Sequence, residues 1–254
     1  MQFSEDTDTA SQLKRCVFVG PSLFGNGIPH QMQRFGPAQL GSIYLAAKSG
    51  YEVIGLIDGL FGNVPAVWHK EILYALDRGC VIIGSSSIGA LRAAELHSFG
   101  MCGVGLCFRL YRAGVITDDD EVSVVHGDQE SKYVGFSEPL VNIRATVRRL
   151  RRNLFVTADQ ERRVIREFKA LHFSERTFAN FRRVSIGAFG KPEGNRIYDL
   201  VRSRYRDVKK EDAQQLVKAV IHAQPGSTSG NYFLRTTNWR RQFELCEQDL
   251  KALS

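Results

Sequence analysis

Short, uninterrupted apolar runs alternate with amphipathic stretches through the first hundred residues. Cys16-Val17-Phe18-Val19 is apolar throughout and closes on Gly20-Pro21, a turn signal, which predicts a buried strand. Residues 24–37 hold Gly25, Gly27, Pro29, Gly36 and Pro37 and read as a loop. Residues 41–49 set Ile43, Tyr44, Ala46 and Ala47 on one side and stop at Gly50, the pattern of a helix. A second strand is predicted over 51–57, ending at Asp58-Gly59. A helix follows over 66–78 through Val67, Ile72, Leu73 and Leu76, stopped by Gly79. A third strand, 80–83, runs directly into Gly84-Ser85-Ser86-Ser87. Residues 87–99 then read as a helix on Ala90, Leu91, Ala94 and Leu96, stopped by Gly100. Residues 104–115 supply another apolar element, and 122–126 read as a further strand.

Strand and helix in strict alternation predict an α/β fold with a parallel, Rossmann-like sheet. Its strands are apolar on both faces because helices cover both. Ligands in such folds gather at the carboxyl ends of the strands. Gly20-Pro21-Ser22, Asp58-Gly59 and Ser85-Ser86-Ser87 are therefore expected to converge. After residue 142 the period becomes helical, over 145–153, 158–171, 177–183, 195–204, 210–223 and 239–253, with a loop at 223–230. The expected organisation is a flexible leader (1–14), an α/β core (15–150) and a helical C-terminal subdomain (151–254).

Composition narrows the classes. At 254 residues, with 43% hydrophobic and 24% charged positions, the chain can build a sizeable core without staples. No apolar run approaches the ~20 residues that span a bilayer. The first ten residues carry Glu5, Asp6 and Asp8 and no apolar segment, so a cytoplasmic rather than secreted protein is expected. Five irregularly spaced cysteines suit reduced thiols. Cys102 and Cys107 lack a second ligand pair, so no metal and no cofactor are expected. Charge is uneven. Between Val141 and Arg183 stand twelve Lys or Arg against four Asp or Glu, enough to supply the whole net charge of +7. The stretch reads as a solvated helix face or as a docking surface built on Arg144, Arg148, Arg149, Arg151 and Arg152. It carries no recognised nucleic-acid motif, so a protein partner ranks above nucleic acid.

The serine turn carries the candidate chemistry. A nucleophile elbow needs small residues two before and two after the nucleophile, between a strand and a helix. Ser85 and Gly89 flank Ser87 in that way. The helix start offers backbone N–H groups that can stabilise an oxyanion. Two other readings stay open: a capping serine on an ordinary loop, and an anion cradle. Among the histidines, His69 at the start of the second helix and His126 at the end of the fourth predicted strand are placed to act as a base, with Asp58 to orient it. Arg92 and Glu95 have the spacing of a local ion pair. Asp118-Asp119-Asp120-Glu121 is an acidic turn of a kind that can take a hard cation.

Longer strings carry a resemblance. Asp58-Gly59-Leu60-Phe61-Gly62-Asn63-Val64-Pro65 with Trp68-His69-Lys70-Glu71, Gly84-Ser85-Ser86-Ser87-Ile88-Gly89-Ala90-Leu91-Arg92, Thr117-Asp118-Asp119-Asp120-Glu121, and Ser137-Glu138-Pro139-Leu140 are similar to the motifs of the TfuA-like family. The similarity runs over about residues 16–150. It implies a partner of YcaO enzymes, which activate peptide backbone amides with ATP, in thioamide formation and related peptide modifications. The role implied is sulfur supply, by hydrolysis of a thiocarboxylated, ubiquitin-like carrier of the ThiS type. The precursor peptide is a further candidate partner, and a homo-oligomer is left open. Three serines followed by Ile88 depart from the more apolar family loop, which leaves Ser86 beside Ser87 as nucleophile. The leading assignment is Ser87 as nucleophile, His69 as base and Asp58 as orienter. The N–H groups of Ile88 and Gly89 serve the oxyanion and Arg92 holds the carrier terminus. Gly20, Pro21, Ser22, Gly84, Ser85 and Ser86 complete the binding surface. The rivals are a non-catalytic adaptor using the basic stretch and a nucleotide-binding regulator using the serine loop.

Overall fold

The computed structural model describes residues 13–23, 27–60, 64–224 and 232–244, without the side chain of Glu244. Most of the expected leader, much of the 223–230 loop and residues 245–253 of the last expected helix lie outside these. Five parallel strands form one sheet in the order β2-β1-β3-β4-β5. They are β1 (Arg15–Phe18), β2 (Gln33–Phe35), β3 (Val53–Leu56), β4 (Val81–Gly84) and β5 (Cys102–Gly103). Cys16 pairs with Ile54 and Ile54 with Ile82, so the central apolar runs lie in register.

The parallel α/β sheet expected from the alternation is thus present. One face carries Cys16, Phe18, Ile54, Leu56 and Ile82, packed under α1 (Ser42–Lys48), α2 (His69–Asp77) and α3 (Ile88–Leu96). The other carries Val17, Val53, Ile57 and Ile83. It is covered by Leu216, Val217 and Val220 of α9 (Val208–His222), a helix from far down the chain. Each such side chain, fully buried, contributes about 1.5–3 kcal/mol. The contact is close: a Cβ on Gly55, in the middle of β3, would stand 2.7 Å from Leu216 Cδ2. Arg15 Nε donates to Val220 O, so α9 runs antiparallel to β1, with its first residues at the carboxyl edge of the sheet.

Further helices are α4 (Gly105–Arg112), α5 (Leu140–Arg152), α6 (Ala158–Lys169), α7 (Phe178–Phe189) and α8 (Lys191–Ser203). α5 to α8 share an apolar cluster around Val147, Leu150, Phe168, Phe181 and Val201. Residues 237–244 fold back so that Trp239 and Phe243 pack on Tyr44.

Three local expectations are corrected. Residues 24–37 are not all loop, because Gln33–Phe35 forms edge strand β2, whose single neighbour, β1, demands no continuous apolar run. Residues 122–126 are not a strand. Only His126 bridges, antiparallel, to Gly135, and β5 already caps that side of the sheet. α5 also begins five residues before the expected helix, because Leu140, Val141 and Ile143 all face inward behind Pro139.

Candidate functional site

The direction in which strands are added reverses between β1 and β3, since β2 lies on the far side of β1. Crevices form at such switch points, beyond the carboxyl ends of the strands. Asp58, two residues beyond β3, fills this one and is 1% exposed. Its Oδ2 accepts the N–H groups of Gly20 (2.9 Å) and Ser22 (3.0 Å), and its Oδ1 accepts the Ser22 hydroxyl at 2.6 Å. A buried carboxylate persists only with such partners. The turn after β1 is thereby tied to the end of β3.

The serine turn leaves β4 next to it. Gly89 sits where α3 presses on β3: a Cβ there would lie 1.8 Å from the carbonyl oxygen of Leu56. The chain therefore has to turn sharply, and the strain falls on Ser86, whose φ is +66°. The apex is one residue earlier than the flanking small residues suggest, because the close approach belongs to Gly84 and Gly89 together. Ser86 Oγ donates to Ser22 Oγ at 2.9 Å, which continues to Asp58. Ser85 Oγ points at the carbonyls of Val104 and Asp212 and anchors the turn. Pro21 lines the mouth of the crevice beside Ser22.

Ser87 stands just before α3, and its hydroxyl meets a residue that the sequence reading did not select. Lys209 Nζ lies 3.2 Å from Ser87 Oγ, donates to Val122 O at 2.7 Å and stands 4.0 Å from Asp58 Oδ1. Lys209 is 3% exposed. Burial pushes its pKa below the ordinary lysine value, and the charge of Asp58 works against that fall. A lysine held this way can accept a proton from a neighbouring hydroxyl, as in serine–lysine hydrolases. Its signal was present in the pattern of α9: Lys209 and Asp212 fall on the same stripe as Ala213, Leu216 and Val220. Charges on an apolar stripe are buried charges. Asp212 is committed elsewhere, accepting the N–H groups of Leu106 and Cys107 at the start of α4.

Of the two expected oxyanion donors, Gly89 N–H is taken by Ile57 O. The N–H groups of Ile88 and Ser86 have no acceptor among the described residues. His69 is not brought to Ser87. Its Nε2 is 2.8 Å from Glu95 Oε2, on the surface, and Arg92 Nη1 reaches the same oxygen at 2.6 Å. Arg92 Nε caps this contact by donating to Val67 O, so Arg92 is likewise spent away from the serines. The local Arg92–Glu95 pair expected from spacing is present, and His69 joins it on the surface rather than at the serine turn. His126 faces Gly127 O and the ring of Tyr133.

Residues 58–177 match the model of the TfuA-like protein family. Over this stretch the chain is TfuA-like. No curated protein matches it. The TfuA-like stretch supplies Asp58 and the three serines, whereas Ser22 and Lys209 come from residues on either side of it. It also contains the acidic turn, where protein cations meet the carboxylates. Arg144 makes a two-pronged pair with Glu121 at 2.8 Å, Lys169 bonds Asp118 and Glu121, and Arg176 bonds Asp120. Over the site lies a polar cavity of about 250 Å³, lined by Ser22, Lys209, Ser137, Glu138, Asn142 and Tyr205 among others. Tyr205 donates to Glu138, Asn142 Nδ2 donates to Tyr205 Oη, and Lys209 N–H donates to Asn142 Oδ1. This chain of bonds fixes the cavity wall to the first residues of α9.

Proposed function

We propose that this protein hydrolyses the thiocarboxylate of a ubiquitin-like carrier of the ThiS type and so supplies sulfide to a YcaO enzyme for peptide thioamide formation. The single observation that carries the hydrolase reading is the buried Lys209 amine beside Ser87 Oγ. The TfuA-like stretch supports the sulfur-supply role.

In this reading neutral Lys209 takes the proton of Ser87. Ser87 Oγ attacks the carbon of the terminal COS⁻ group, and the developing oxyanion meets the N–H groups of Ile88 and Ser86. The C–S bond breaks, the proton on Lys209 passes to sulfur, and hydrosulfide leaves. An ester remains on Ser87. Water, deprotonated by Lys209, cleaves it to the carrier carboxylate and free serine. The sum is thiocarboxylate plus water to carboxylate, hydrosulfide and a proton, with no oxidant or reductant. Asp58 holds Ser22 and steadies the charge that appears on Lys209.

The decisive measurement is sulfide release from a thiocarboxylated carrier. Ser87→Ala and Lys209→Met are each expected to lower it by at least ~10²-fold, the scale of a lost general base. Unchanged release in either variant sinks the reading. A second reading, a non-catalytic adaptor that recruits the YcaO enzyme, draws on Arg148, Arg149 and Arg152, which make no ion pair among the described residues. An adaptor keeps YcaO-dependent thioamide formation after Ser87→Ala; the hydrolase does not, unless free sulfide is added.

A further inference from the structure

α5 and α6 each turn a stripe of cations toward one groove. On α5 the stripe is Arg144, Arg148, Arg149 and Arg152; on α6 it includes Arg162, Arg166 and Lys169. These are i, i+3 and i, i+4 spacings, so each set lies on one helical face. Arg109 of α4 and Arg206 complete the rim. Among the described residues, nine Arg or Lys side chains and one carboxylate, Glu161, line a cavity of about 990 Å³.

The cations are not equally engaged. Arg144, Arg162, Arg166, Lys169 and Arg206 have carboxylate partners within the chain. Arg109, Arg148, Arg149 and Arg152 make no ion pair among the described residues. Glu161, the one acid, is held by Arg151 and cannot neutralise them. Between the cations the floor is aliphatic: Leu106, Leu110, Val115, Ile116, Ala145 and Ile165. Val115 is 57% exposed there. Among the described residues, no aromatic side chain lines the groove.

We propose that this groove docks an acidic amphipathic helix of a protein partner. A groove of unpaired arginines over an aliphatic floor complements a helix with carboxylates along its flanks and an apolar i, i+3, i+4, i+7 stripe beneath. Nucleic acid fits less well. Single strands are held by aromatic stacking platforms, and the groove has none. The α5 stripe, from Arg144 to Arg152, spans roughly 12 Å at 1.5 Å per residue, which sets a contact of about two helical turns. The unpaired arginines give orientation and association rate, and the aliphatic floor gives the part of the affinity that salt does not remove. This surface is separate from the serine site, so the inference stands whether or not Ser87 is a nucleophile.

The test is a fluorescence-anisotropy titration of the full chain with three labelled probes. The first is an amphipathic peptide of about 15 residues, the length at which an isolated helix begins to hold in water, with Glu on its flanks and Leu along one stripe. The second is poly-Glu of the same charge, and the third a single-stranded oligonucleotide of the same charge. The amphipathic peptide is expected to bind about tenfold tighter than either control, a difference of about 1.4 kcal/mol. Arg148→Glu combined with Arg149→Glu, and separately Val115→Asp, are each expected to weaken it by a similar factor. All three residues are exposed, so circular dichroism should show the fold retained. Equal binding of poly-Glu or of the oligonucleotide overturns the proposal. So does no binding of the peptide, or peptide affinity unchanged by the arginine pair.

Discussion

Two clusters of nitrogen base and carboxylate flank α3, and they teach opposite lessons. His69, Glu95 and Arg92 meet on the surface, where the His69 side chain is 46% and that of Glu95 37% exposed. Lys209, Asp58 and Ser87 meet at the start of the same helix, at 3%, 1% and 3% exposure. In the first, water reaches His69 and Glu95 and screens their charges, and only the Arg92 side chain, 13% exposed, is largely covered. In the second, an ammonium and a carboxylate are held out of water, and the cost of that burial depresses the Lys209 pKa. A perturbed amine beside a hydroxyl is what a proton-transfer site requires. The partners also differ in reach. His69 and Glu95 are 26 residues apart in the chain, Lys209 and Ser87 122.

The largest effect expected to break or confirm this contrast is at Lys209. If it acts as a base, Lys209→Arg abolishes sulfide release as fully as Lys209→Met, by ~10²-fold or more, because a guanidinium does not deprotonate near neutral pH. If the site only needs a cation, Lys209→Arg stays active. The pH profile gives a second reading. Turnover should rise with pH through a pKa below that of ordinary lysine, since the neutral amine is the working form. Removing the opposing charge in Asp58→Asn should move that rise to lower pH. Stability follows the same sign. The folded state gives up the Lys209 proton before the unfolded state does, so wild type gains stability over Lys209→Met as pH rises from the folded to the unfolded lysine pKa. Chemical denaturation of both proteins across the alkaline range measures it.

The sheet was legible because β1, β3 and β4 are buried on both faces, and only continuous apolar runs satisfy that. β2 was not, because an edge strand with one neighbour can be Gln33-Arg34-Phe35. The convergence of Ser22, Asp58 and the serines followed from the fold class alone. Two things did not follow. Spacing marks small residues but not the one that takes the positive φ, so the apex moved from Ser87 to Ser86. Lys209, the residue proposed here as base, arrives on α9, and nothing near Ser87 announces it. The apolar stripe that carries Lys209 identifies a buried lysine, but its address on the sheet is a tertiary fact.

A smaller effect concerns the motif Trp68-His69-Lys70-Glu71, where Glu71 rather than His69 has the structural role. Glu71 is fully buried. Its Oε1 accepts the N–H groups of Gly41 and Trp68, and its Oε2 accepts those of Ile43 and Tyr44, which joins the first turn of α1 to that of α2. Glu71→Gln turns an amide NH₂ against one of these donor pairs whichever way it is oriented. A stability loss of about 1–3 kcal/mol is expected in urea titration. Burial raises the Glu71 carboxyl to about 7 despite these donors. The folded pKa lies above the unfolded one. The stability this adds is therefore complete below the unfolded pKa of ~4.3 and lost as pH rises through about 7. Glu71→Gln should lack that slope, and a flat difference between the two proteins across pH 4–7 would remove the argument.

The smallest effect is expected at His69, and it tests the comparison most directly. His69→Gln removes the imidazole from Glu95 but leaves Arg92 on the same carboxylate and on Val67 O. An exposed pair of this kind contributes at most ~1 kcal/mol, and Arg92 retains part of it. Nothing in the contacts of His69 reaches Ser87, Asp58 or Lys209. Sulfide release should therefore stay within about twofold of wild type, less than half a kcal/mol in the barrier. Its pH profile should keep the wild-type rise, because the titrating base is untouched. A loss of ~10²-fold with the fold intact would return the base to the surface cluster and leave the buried lysine as a structural cation.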